Sequence, residues 1–297
     1  MSRILDLDGS QLAALRGRAL TDSVAASEGR AVVAEVWPDT AMLVGAHETG
    51  GVSNIELVAA FGADVVILNM LEKVYDGERW NLPVMGEFAS LAELADFVGR
   101  PVGVNLEPGA VPDGRKATVD NARRLVDQGA ALLCVTANPA TGAGLADIAR
   151  TSEELRGALG QDAAIWSGKM HLAGRSEPLG AAGMCAIAEA GADGVLVPLP
   201  GTVPGVTREI AAEAVRRIHS AGAIAMGTIG TSQEGSHRTL VPQLALNAKE
   251  IGVDAHHIGD AYVAGAADPE FLYDYSVAIR GRRHTWHRMG RNTRKRT

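Results

Sequence analysis

Short apolar runs alternate along the chain with longer stretches in which apolar residues recur at helical spacing. A run of three to six apolar residues is typical of a buried strand, whereas the 3.6-residue period is typical of an amphipathic helix. The predicted strands are Ala31–Val36, Val65–Leu68, Val102–Leu106, Ala131–Val135, Ala163–Trp166, Val195–Val197, Ala223–Met226 and Ala255–Ile258. The amphipathic stretches include Ile55–Phe61, Leu91–Val98, Val119–Val126, Ile210–Ile218 and Leu240–Ile251.

Glycines mark the same alternation with a nearly constant period. Seven of them precede an apolar run, at Gly62, Gly99, Gly129, Gly160, Gly191, Gly222 and Gly252, and the successive intervals are 37, 30, 31, 31, 31 and 30 residues. A glycine at this place suits the left-handed residue that ends a helix. A strand–helix unit of about 31 residues, present eight times, predicts a (β/α)8 TIM barrel, since doubly wound open sheets usually have about five or six units.

The same spacing sets the domain limits. We expect a single domain over residues 1–297, with a helical extension over 1–30, the barrel over 31–280 and a basic tail over 281–297. A helix from Leu12 to Ala26 would cover one end of the barrel. Met42–Gly45 could replace Ala31–Val36 as the first strand, but the 33 residues from Gly29 to Gly62 favour Ala31–Val36. The first loop is then long, and residues 40–51 could form a lid.

Composition narrows the class of protein. Of the 297 residues, 46% are hydrophobic and 21% are charged, which fits a globular protein and excludes a disordered one. Two cysteines cannot form a disulfide framework, and no apolar run reaches the length of about 18 residues that indicates a membrane helix. We expect a cytoplasmic protein with no membrane partner. Because symmetric assembly is common among soluble enzymes, we also expect a homo-oligomer.

Charge is distributed unevenly. Residues 280–297 hold eight Lys or Arg residues and no acidic residue, although the whole chain has a net charge of −7. Residues 1–279 hold the other 20 of the 28 basic residues against 35 acidic ones, a net charge of −15. An acidic body argues against a nucleic-acid partner. We expect residues 280–289 to dock on an acidic face of this barrel or of a neighbouring subunit, with Arg291–Thr297 mobile.

Polar residues follow most of the predicted strands. In a TIM barrel the carboxyl ends of the strands and the loops after them carry catalysis. Residues two apart on a strand face the same side, so Asn105 with Glu107, and Thr136 with Asn138, are expected to face the mouth together. The residues that we expect to bind substrate are Asn69, Asn105, Thr136, Asn138, His257 and Asp260.

A lysine and a histidine follow the fifth strand, at Lys169 and His171. A lysine in a barrel mouth serves as a ligand for phosphate or carboxylate, or as an amine nucleophile with a lowered pKa. A carboxylate near such an amine can move protons. We therefore predict Lys169, Glu107, Glu35 and His171 as the catalytic residues, with Lys169 within reach of Glu107 or Asn138.

The glycine-rich loop after the seventh strand is typical of a phosphate-binding loop. Barrels often bind phosphate after strands 7 and 8, through backbone N–H groups and a helix amino terminus, and a helix is predicted to begin near His237. Glu234 and Asp260 would repel a phosphate, so they are expected to point elsewhere or to hold hydroxyl groups. The predicted phosphate-binding residues are Gly227, Thr228, Gly230, Thr231, Ser232, Gly259 and Gly265.

A metal site is the alternative interpretation of the same residues. Glu35, Glu48, Glu107 and His171 have the side chains that a divalent metal such as Mg²⁺ requires, and His47 or one of His256 and His257 could join them. Their spacing matches no specific metal motif, so the primary prediction is that the protein has no cofactor. The glycine patterns of dinucleotide-binding and ATP-binding loops do not occur in the sequence.

Several stretches resemble an uncharacterised family of bacterial TIM-barrel proteins. They are Glu28–Glu35, Ser53–Asp64, His257–Asp260 and Ser276–Thr285, and they span nearly the whole chain. Members are loosely described as phosphoenolpyruvate-phosphonomutase-like or hydrolase-like, often in sugar-uptake gene settings. The chain is also distantly similar to the BtpA barrels and to ribulose-phosphate-binding barrels. The resemblance implies a barrel with a sugar-phosphate connection. True phosphonomutases and isocitrate lyases carry an aspartate-rich magnesium motif at strand 3, where this chain has Val102–Glu107 without aspartate.

Together these features predict an enzyme that acts on a small phosphorylated sugar or keto acid. The expected chemistry is that of a lyase of aldolase type or of an isomerase, with Lys169 as the electrophile or Schiff-base amine. The first alternative is a metal-dependent phosphonomutase-like or isocitrate-lyase-like enzyme. The second is a regulatory or assembly barrel without catalysis, since a fold by itself does not establish a reaction.

Overall fold

Eight parallel strands close into a barrel in the computed structural model, which describes residues 2–44, 50–173 and 176–291. Each barrel strand pairs with the next along the chain, and the first pairs with the last to close the ring. The barrel strands are β1 (Ala31–Val36), β2 (Val65–Leu68), β5 (Val102–Leu106), β6 (Leu133–Val135), β7 (Ile165–Gly168), β8 (Gly194–Pro198), β9 (Ile224–Ile229) and β10 (Ala255–Ile258). The predicted (β/α)8 fold is confirmed.

Helices connect the strands on the outside of the barrel, and four of them begin at a Ser or Thr whose side chain accepts a backbone N–H of the first turn. The helices are α1 (Gly9–Ala13), α2 (Gly17–Ala25), α3 (Asn54–Ala60), α4 (Leu91–Val98), α5 (Val119–Asp127), α6 (Leu145–Leu159), α7 (Ala181–Glu189), α8 (Arg208–Ser220), α9 (Val241–Ile251) and α10 (Pro269–Gly290). A hairpin of β3 (Trp80–Leu82) and β4 (Gly86–Phe88), which the sequence pattern does not predict, lies between β2 and α4.

Alternation along the strands separates the barrel interior from the helix layer. In β1, Val33 packs in the interior cluster with Trp166 and Met226, whereas Val32 and Ala34 pack against the helices. Both faces are apolar, as is usual for parallel strands that are buried on both sides. The polar exceptions described below therefore stand out at the carboxyl ends of the strands.

The first 30 residues form two short helices, where the sequence predicts one. Leu20 of α2 packs in the interior cluster, and Thr21 of α2 accepts a hydrogen bond from Trp166 Nε1 at 3.1 Å. Because Trp166 lies near the start of β7, α2 covers the amino-terminal end of the barrel. The opposite end is left for the mouth.

Buried arginines fasten α10 to that amino-terminal end. Arg280 and Arg288 reach the carboxylate of Asp64, just before β2, at 2.5 and 2.6 Å, and Arg100 donates to nearby backbone carbonyls. Burial alone would raise the pKa of Asp64. The charges of Arg280 and Arg288 lower it by more, so the net shift is downward. The segment predicted as a tail from residue 281 is instead helical to Gly290. It docks on one buried carboxylate and on carbonyl groups rather than on an acidic face.

The long first loop follows β1 as the spacing predicts. Leu43 forms an isolated antiparallel bridge with Val52, so the alternative first strand at Met42–Gly45 is wrong for the described residues of that segment. His47 and Glu48 lie outside the described residues, as do residues 45–49 of the possible lid as a whole. Within residues 2–44, 50–173 and 176–291, no helix is long and apolar enough to cross a membrane.

Candidate active site

A cavity of about 150 Å³ lies at the carboxyl ends of the strands. Its wall brings together two carboxylates, Glu35 and Asp260, and one imidazole, His171. The other residues that line it are Trp37, Met70, Asn138, Pro139, Met170, Gly230, Gly259 and Ala261. A second cavity of about 350 Å³ shares Trp37, Asp260 and Ala261 with the first, so the two adjoin. We call the first the inner cavity and the second the outer cavity.

A carboxylate–imidazole pair lies at the floor of the inner cavity. Glu35 Oε2 is 3.0 Å from His257 Nε2, and both side chains are almost fully buried. His257 is level with Val33 in the barrel, so it lies deeper than Glu35. Glu35 Oε1 and His257 Nδ1 have no hydrogen-bond partner. Because buried polar atoms in native proteins are nearly always bonded, the free oxygen of Glu35 indicates a place for a ligand or a water molecule.

A chain of amide and hydroxyl groups runs across the barrel to Asp260. Thr136 donates to Asn105 Oδ1 at 2.6 Å, Asn105 donates to Asn69 Oδ1 at 3.0 Å, and Asn69 donates to Asp260 Oδ2 at 3.0 Å. Asn138 also donates to Asn69 Oδ1, at 3.1 Å. The structure thus brings together the predicted substrate-binding residues of four strand ends. Asp260 and Asn138 line the cavity, whereas the others orient them from below.

The pKa of the Asp260 carboxyl group is strongly raised. Burial is the main cause and the negative charge of Glu35 adds to it, while the hydrogen bond from Asn69 opposes both. Together they raise the pKa of Asp260 to about 7. A carboxyl group that titrates near neutral pH can donate a proton in one step and accept it in another.

Glu107 has a different environment from Glu35. Its Oε2 accepts the backbone N–H of Asn138 at 2.6 Å, its Oε1 accepts the Asn138 side-chain amide at 2.6 Å, and Arg115 Nε lies 3.1 Å from Oε1. Burial raises its pKa, although the bonds from Asn138 and the charge of Arg115 oppose the shift. Glu107 does not line either cavity. The contacts assign it to holding Asn138 in place rather than to acid–base catalysis.

Lys169 does not lie where the sequence spacing predicts. β7 ends at Gly168, and Lys169 continues the side of Ser167, whose hydroxyl bonds Ser152 of α6 in the helix layer. Lys169 Nζ donates to Glu177 Oε1 at 2.9 Å and to the Ala143 carbonyl at 3.4 Å. These contacts are with the loops that follow β6 and β7, and Lys169 lines neither cavity. Its ion pair with Glu177 differs from the expected neighbours, Glu107 and Asn138.

His171 does line the inner cavity. Its Nδ1 accepts the backbone N–H of Ala173 at 3.2 Å. Burial lowers the pKa of His171, and the nearby charge of Lys169 lowers it further. A backbone hydrogen bond with Ala137 opposes this shift but does not reverse it, so the ring is uncharged at neutral pH and is held by backbone groups of Ala137 and Ala173.

The predicted phosphate-binding residues are only partly assembled. Gly230 and Gly259 line the inner cavity and Gly265 lines the outer one. Gly227 is misplaced in the prediction: a Cβ there would lie 2.7 Å from the Leu199 side chain, so it faces the helix layer. At Gly259 a Cβ would lie 2.7 Å from the Ile229 carbonyl, so only glycine fits this part of the wall.

The hydroxyl groups of the same loop are arranged in different ways. Thr231 donates to the Thr202 carbonyl at 2.7 Å, which leaves its hydroxyl engaged within the protein. Thr228 is buried inside the barrel, and its Oγ1 has no partner. Ser232 has a left-handed backbone, with φ 74°, before the next helical turns. The helix predicted near His237 starts as a 3-10 turn at Arg238 and continues as α9.

Negative charge surrounds the site more closely than the sequence predicts. Glu234 is buried behind Gly259 and accepts the Ala261 backbone N–H at 2.9 Å. Burial raises its pKa, and its Oε2 has no partner. Among the described residues that line the two cavities there is no Lys or Arg.

The alternative metal set is not assembled in the described part of the chain. No group of three or more His, Cys, Asp or Glu side chains there could hold a metal ion. Glu107 has both oxygens engaged by Asn138, and Glu48 lies outside the described residues. Glu35 and His171 alone do not provide enough ligands for Mg²⁺ or Zn²⁺.

Several cavity residues escape prediction because they are apolar or lie beyond the strand ends. Met170 and Trp37 could have been found by extending the strand alternation, since Met170 follows Gly168 by two and Trp37 follows Glu35 by two. Pro139, Met70 and Ala261 belong to loops whose course the sequence pattern does not determine.

Comparison with known proteins identifies a family without an assigned function. A family profile described as a domain of unknown function (DUF7916) matches residues 5–295. No curated protein sequence matches this chain.

Solved structures share the fold at low sequence identity. An archaeal fructose 1,6-bisphosphate aldolase is 16% identical with a TM-score of 0.52, covering 86% of this chain and 95% of that chain. A second structure of such an aldolase, with its catalytic Lys covalently bound to the carbinolamine intermediate, is 14% identical with a TM-score of 0.52, covering the same shares. A putative lyase/mutase from Burkholderia cenocepacia is 18% identical with a TM-score of 0.51, covering 84% of this chain and 81% of that chain. At these identities the likeness establishes the barrel alone.

Proposed function

The chain belongs to the DUF7916 family, and we propose that it is an enzyme of lyase or isomerase type that moves protons at a carbonyl compound. The observation that carries this proposal is the presence of Glu35 and Asp260 on the wall of one small cavity. Two carboxyl groups with different environments provide a base and an acid at the same pH. Archaeal aldolases and a putative lyase/mutase share the fold, which makes this reaction class a natural one for the barrel.

Glu35 is the proposed base. Its Oε2 is held by His257, its Oε1 has no hydrogen-bond partner, and the residue lines the inner cavity. A base that is already held in one orientation loses little conformational entropy on the way to the transition state, which favours proton transfer. In the isomerase form of the reaction, Oε1 removes a proton from the carbon next to the substrate carbonyl.

Asp260 is the proposed acid. With a pKa of about 7 it carries a proton in a large share of molecules at neutral pH. It gives that proton to the carbonyl oxygen while the electrons of the broken C–H bond form the C=C bond of an enol. An isomerase then returns the proton from Glu35 to the former carbonyl carbon. The hydroxyl group on the adjacent carbon gives its proton to Asp260, and that carbon becomes the new carbonyl.

A lyase forms the same enol by breaking a C–C bond instead of a C–H bond. Glu35 then removes the proton of a β-hydroxyl group, whose oxygen becomes a carbonyl as the adjacent C–C bond breaks. The electrons of that bond form the enol, and Asp260 protonates its oxygen. Neither form requires a Schiff base, which agrees with the position of Lys169 beside Glu177.

Deuterium exchange tests the proposal. Short hydroxyaldehydes and hydroxyketones, with and without phosphate esters, are first screened for a rise in melting temperature, since a ligand that binds the folded state stabilises it. The compounds that bind are then incubated with the protein in D2O. We expect NMR to show deuterium entering at the carbon next to the carbonyl faster than in buffer. Bound hydroxycarbonyl compounds that never exchange would contradict the proposal.

A further inference from the structure

The wall shared by the two cavities bears on the chemical class of the substrate. The cavities of about 150 and 350 Å³ adjoin at Trp37 and Asp260, and their combined space is in the range of small-molecule sites. We infer, on the basis of the proposed function, that the substrate is an uncharged polyhydroxy carbonyl compound, such as a free sugar, and not a phosphate ester.

Charge is the first argument. The described lining contains the carboxyl groups of Glu35 and Asp260 and no Lys or Arg. The charge of Glu35 already contributes to the raised pKa of Asp260, so a further anion placed between them meets repulsion in a poorly solvated site. The nearby lysine Lys73 is already engaged, 2.9 Å from Asp39.

Unpartnered hydrogen-bonding atoms are the second argument. Trp37 Nε1 is a buried donor without an acceptor, and Glu35 Oε1 is a buried acceptor without a donor, on residues that line the same cavity. An ionised phosphate oxygen only accepts and an ammonium group only donates, so neither satisfies both atoms. A hydroxyl group does both, because it donates to the carboxylate and accepts from the indole.

The lining of the outer cavity also suits a polyhydroxy ligand, at a distance from the reacting atoms. Trp37 and Tyr262 give it aromatic surface, and Thr40 and Asp260 lie beside them. Aromatic side chains with a few polar groups suit a ligand that has both carbon-bound hydrogens and hydroxyl groups. The remainder of a sugar chain would occupy this cavity while its carbonyl end lies by Glu35.

Matched ligand pairs test the inference with the unmodified protein. The probes are D-fructose, D-tagatose and D-xylulose against their monophosphate esters, with calorimetry for binding and deuterium exchange for reaction. We expect at least one free sugar to bind at least about tenfold more tightly than its ester. The reason is that repulsion between the phosphate and a nearby carboxylate makes the binding free energy of the ester less favourable. A monophosphate that binds more tightly than its parent sugar would overturn the inference.

The readouts separate this inference from the proposed function. Tight binding of a phosphate ester with deuterium exchange would refute the substrate class and support the function. Binding of a free sugar without exchange would support the substrate class and refute the function.

A variant pair tests the donor on Trp37. Trp37→Phe keeps an aromatic ring and removes the indole N–H, and we expect it to weaken free-sugar binding at least about fivefold, as the loss of one hydrogen bond does. The matched control is Trp286→Phe on the exposed face of α10, where the indole bonds Tyr273, and it should not change binding. Equal affinities in wild type and Trp37→Phe would refute the role of Trp37.

Discussion

Glu35 and His257 form a buried pair in which Oε2 of the carboxylate lies 3.0 Å from Nε2 of the imidazole, while Oε1 of the carboxylate has no hydrogen-bond partner. The two residues come from the first and last barrel strands, 222 positions apart, and meet only because the barrel closes. The pair gives the proposed base one fixed oxygen and one free oxygen.

The first prediction concerns His257 as the residue that positions Glu35. His257→Asn removes the Nε2 contact, so we expect kcat for deuterium exchange to fall by about 10- to 100-fold while KM changes little, since only the orientation of the base is lost. His237→Asn on the surface is the matched control and should leave both constants unchanged. A rise in KM at constant kcat would show that His257 serves substrate binding instead.

The second prediction is a pH dependence set by Asp260. Its pKa of about 7 lies above the ordinary value of an aspartate, so its proton is held more tightly in the folded state than in the unfolded one. Exchange that needs protonated Asp260 should therefore fall as the pH rises through about 7, and an Asp260→Asn variant should lose that limb of the profile.

Stability gives an independent check on Asp260. A raised folded-state pKa contributes stability that is fully present below the unfolded pKa and is lost as the pH rises through the folded pKa. Asp260→Asn should therefore raise the melting temperature by at least about 3 °C at pH 8, and by much less at pH 4. Equal effects at the two pH values would contradict the raised pKa.

The third prediction is that Lys169 supports the loops and forms no covalent intermediate. Treating the protein with borohydride in the presence of a bound substrate should leave the mass of the Lys169 peptide unchanged. Lys169→Met should lower the unfolding free energy by about 3 kcal/mol, because it leaves the partly buried Glu177 without this partner. A reduced adduct on Lys169 in the mass spectrum would revive the Schiff-base mechanism.

The fourth prediction concerns the arginine cluster at the amino-terminal end. Asp64→Asn removes the only carboxylate that Arg280 and Arg288 contact among the described residues. We therefore expect the unfolding free energy, measured by urea denaturation, to fall by about 3–5 kcal/mol. Since the pKa of Asp64 is lowered in the folded state, its contribution should be lost as the pH falls through that pKa. Asp6→Asn, in an exposed pair with Arg3, is the control and should change stability by about 0.5 kcal/mol or less.

Periodicity was sufficient to predict the barrel, because glycine spacing and apolar runs repeat with the strand–helix unit itself. Strand alternation also placed Asn105 and Thr136 on the interior side, where they bond each other. The prediction for Lys169 rested on its position after the fifth strand and not on alternation. Counting along β7 puts Lys169 on the same side of the strand as Ser167.

Loop contacts account for the rest of what the sequence pattern could not predict. Glu107 has a carboxyl side chain of the type that acts in acid–base catalysis. Its role depends on the conformation of Asn138, which no local sequence pattern determines. The burial of Glu234 behind Gly259 likewise depends on how two loops meet. Such contacts arise from tertiary packing and not from spacing along one strand.

The most direct test of the account is the effect of Glu35→Gln on deuterium exchange with a compound that binds the wild type. Glutamine keeps the size of the side chain but cannot accept a proton, so we expect exchange to fall by about 10²- to 10⁴-fold while the dissociation constant changes less than about fivefold. Glu250→Gln, in an exposed pair with Arg208, is the matched control and should exchange at the wild-type rate. Exchange by Glu35→Gln at the wild-type rate would contradict the assignment of Glu35 as the base.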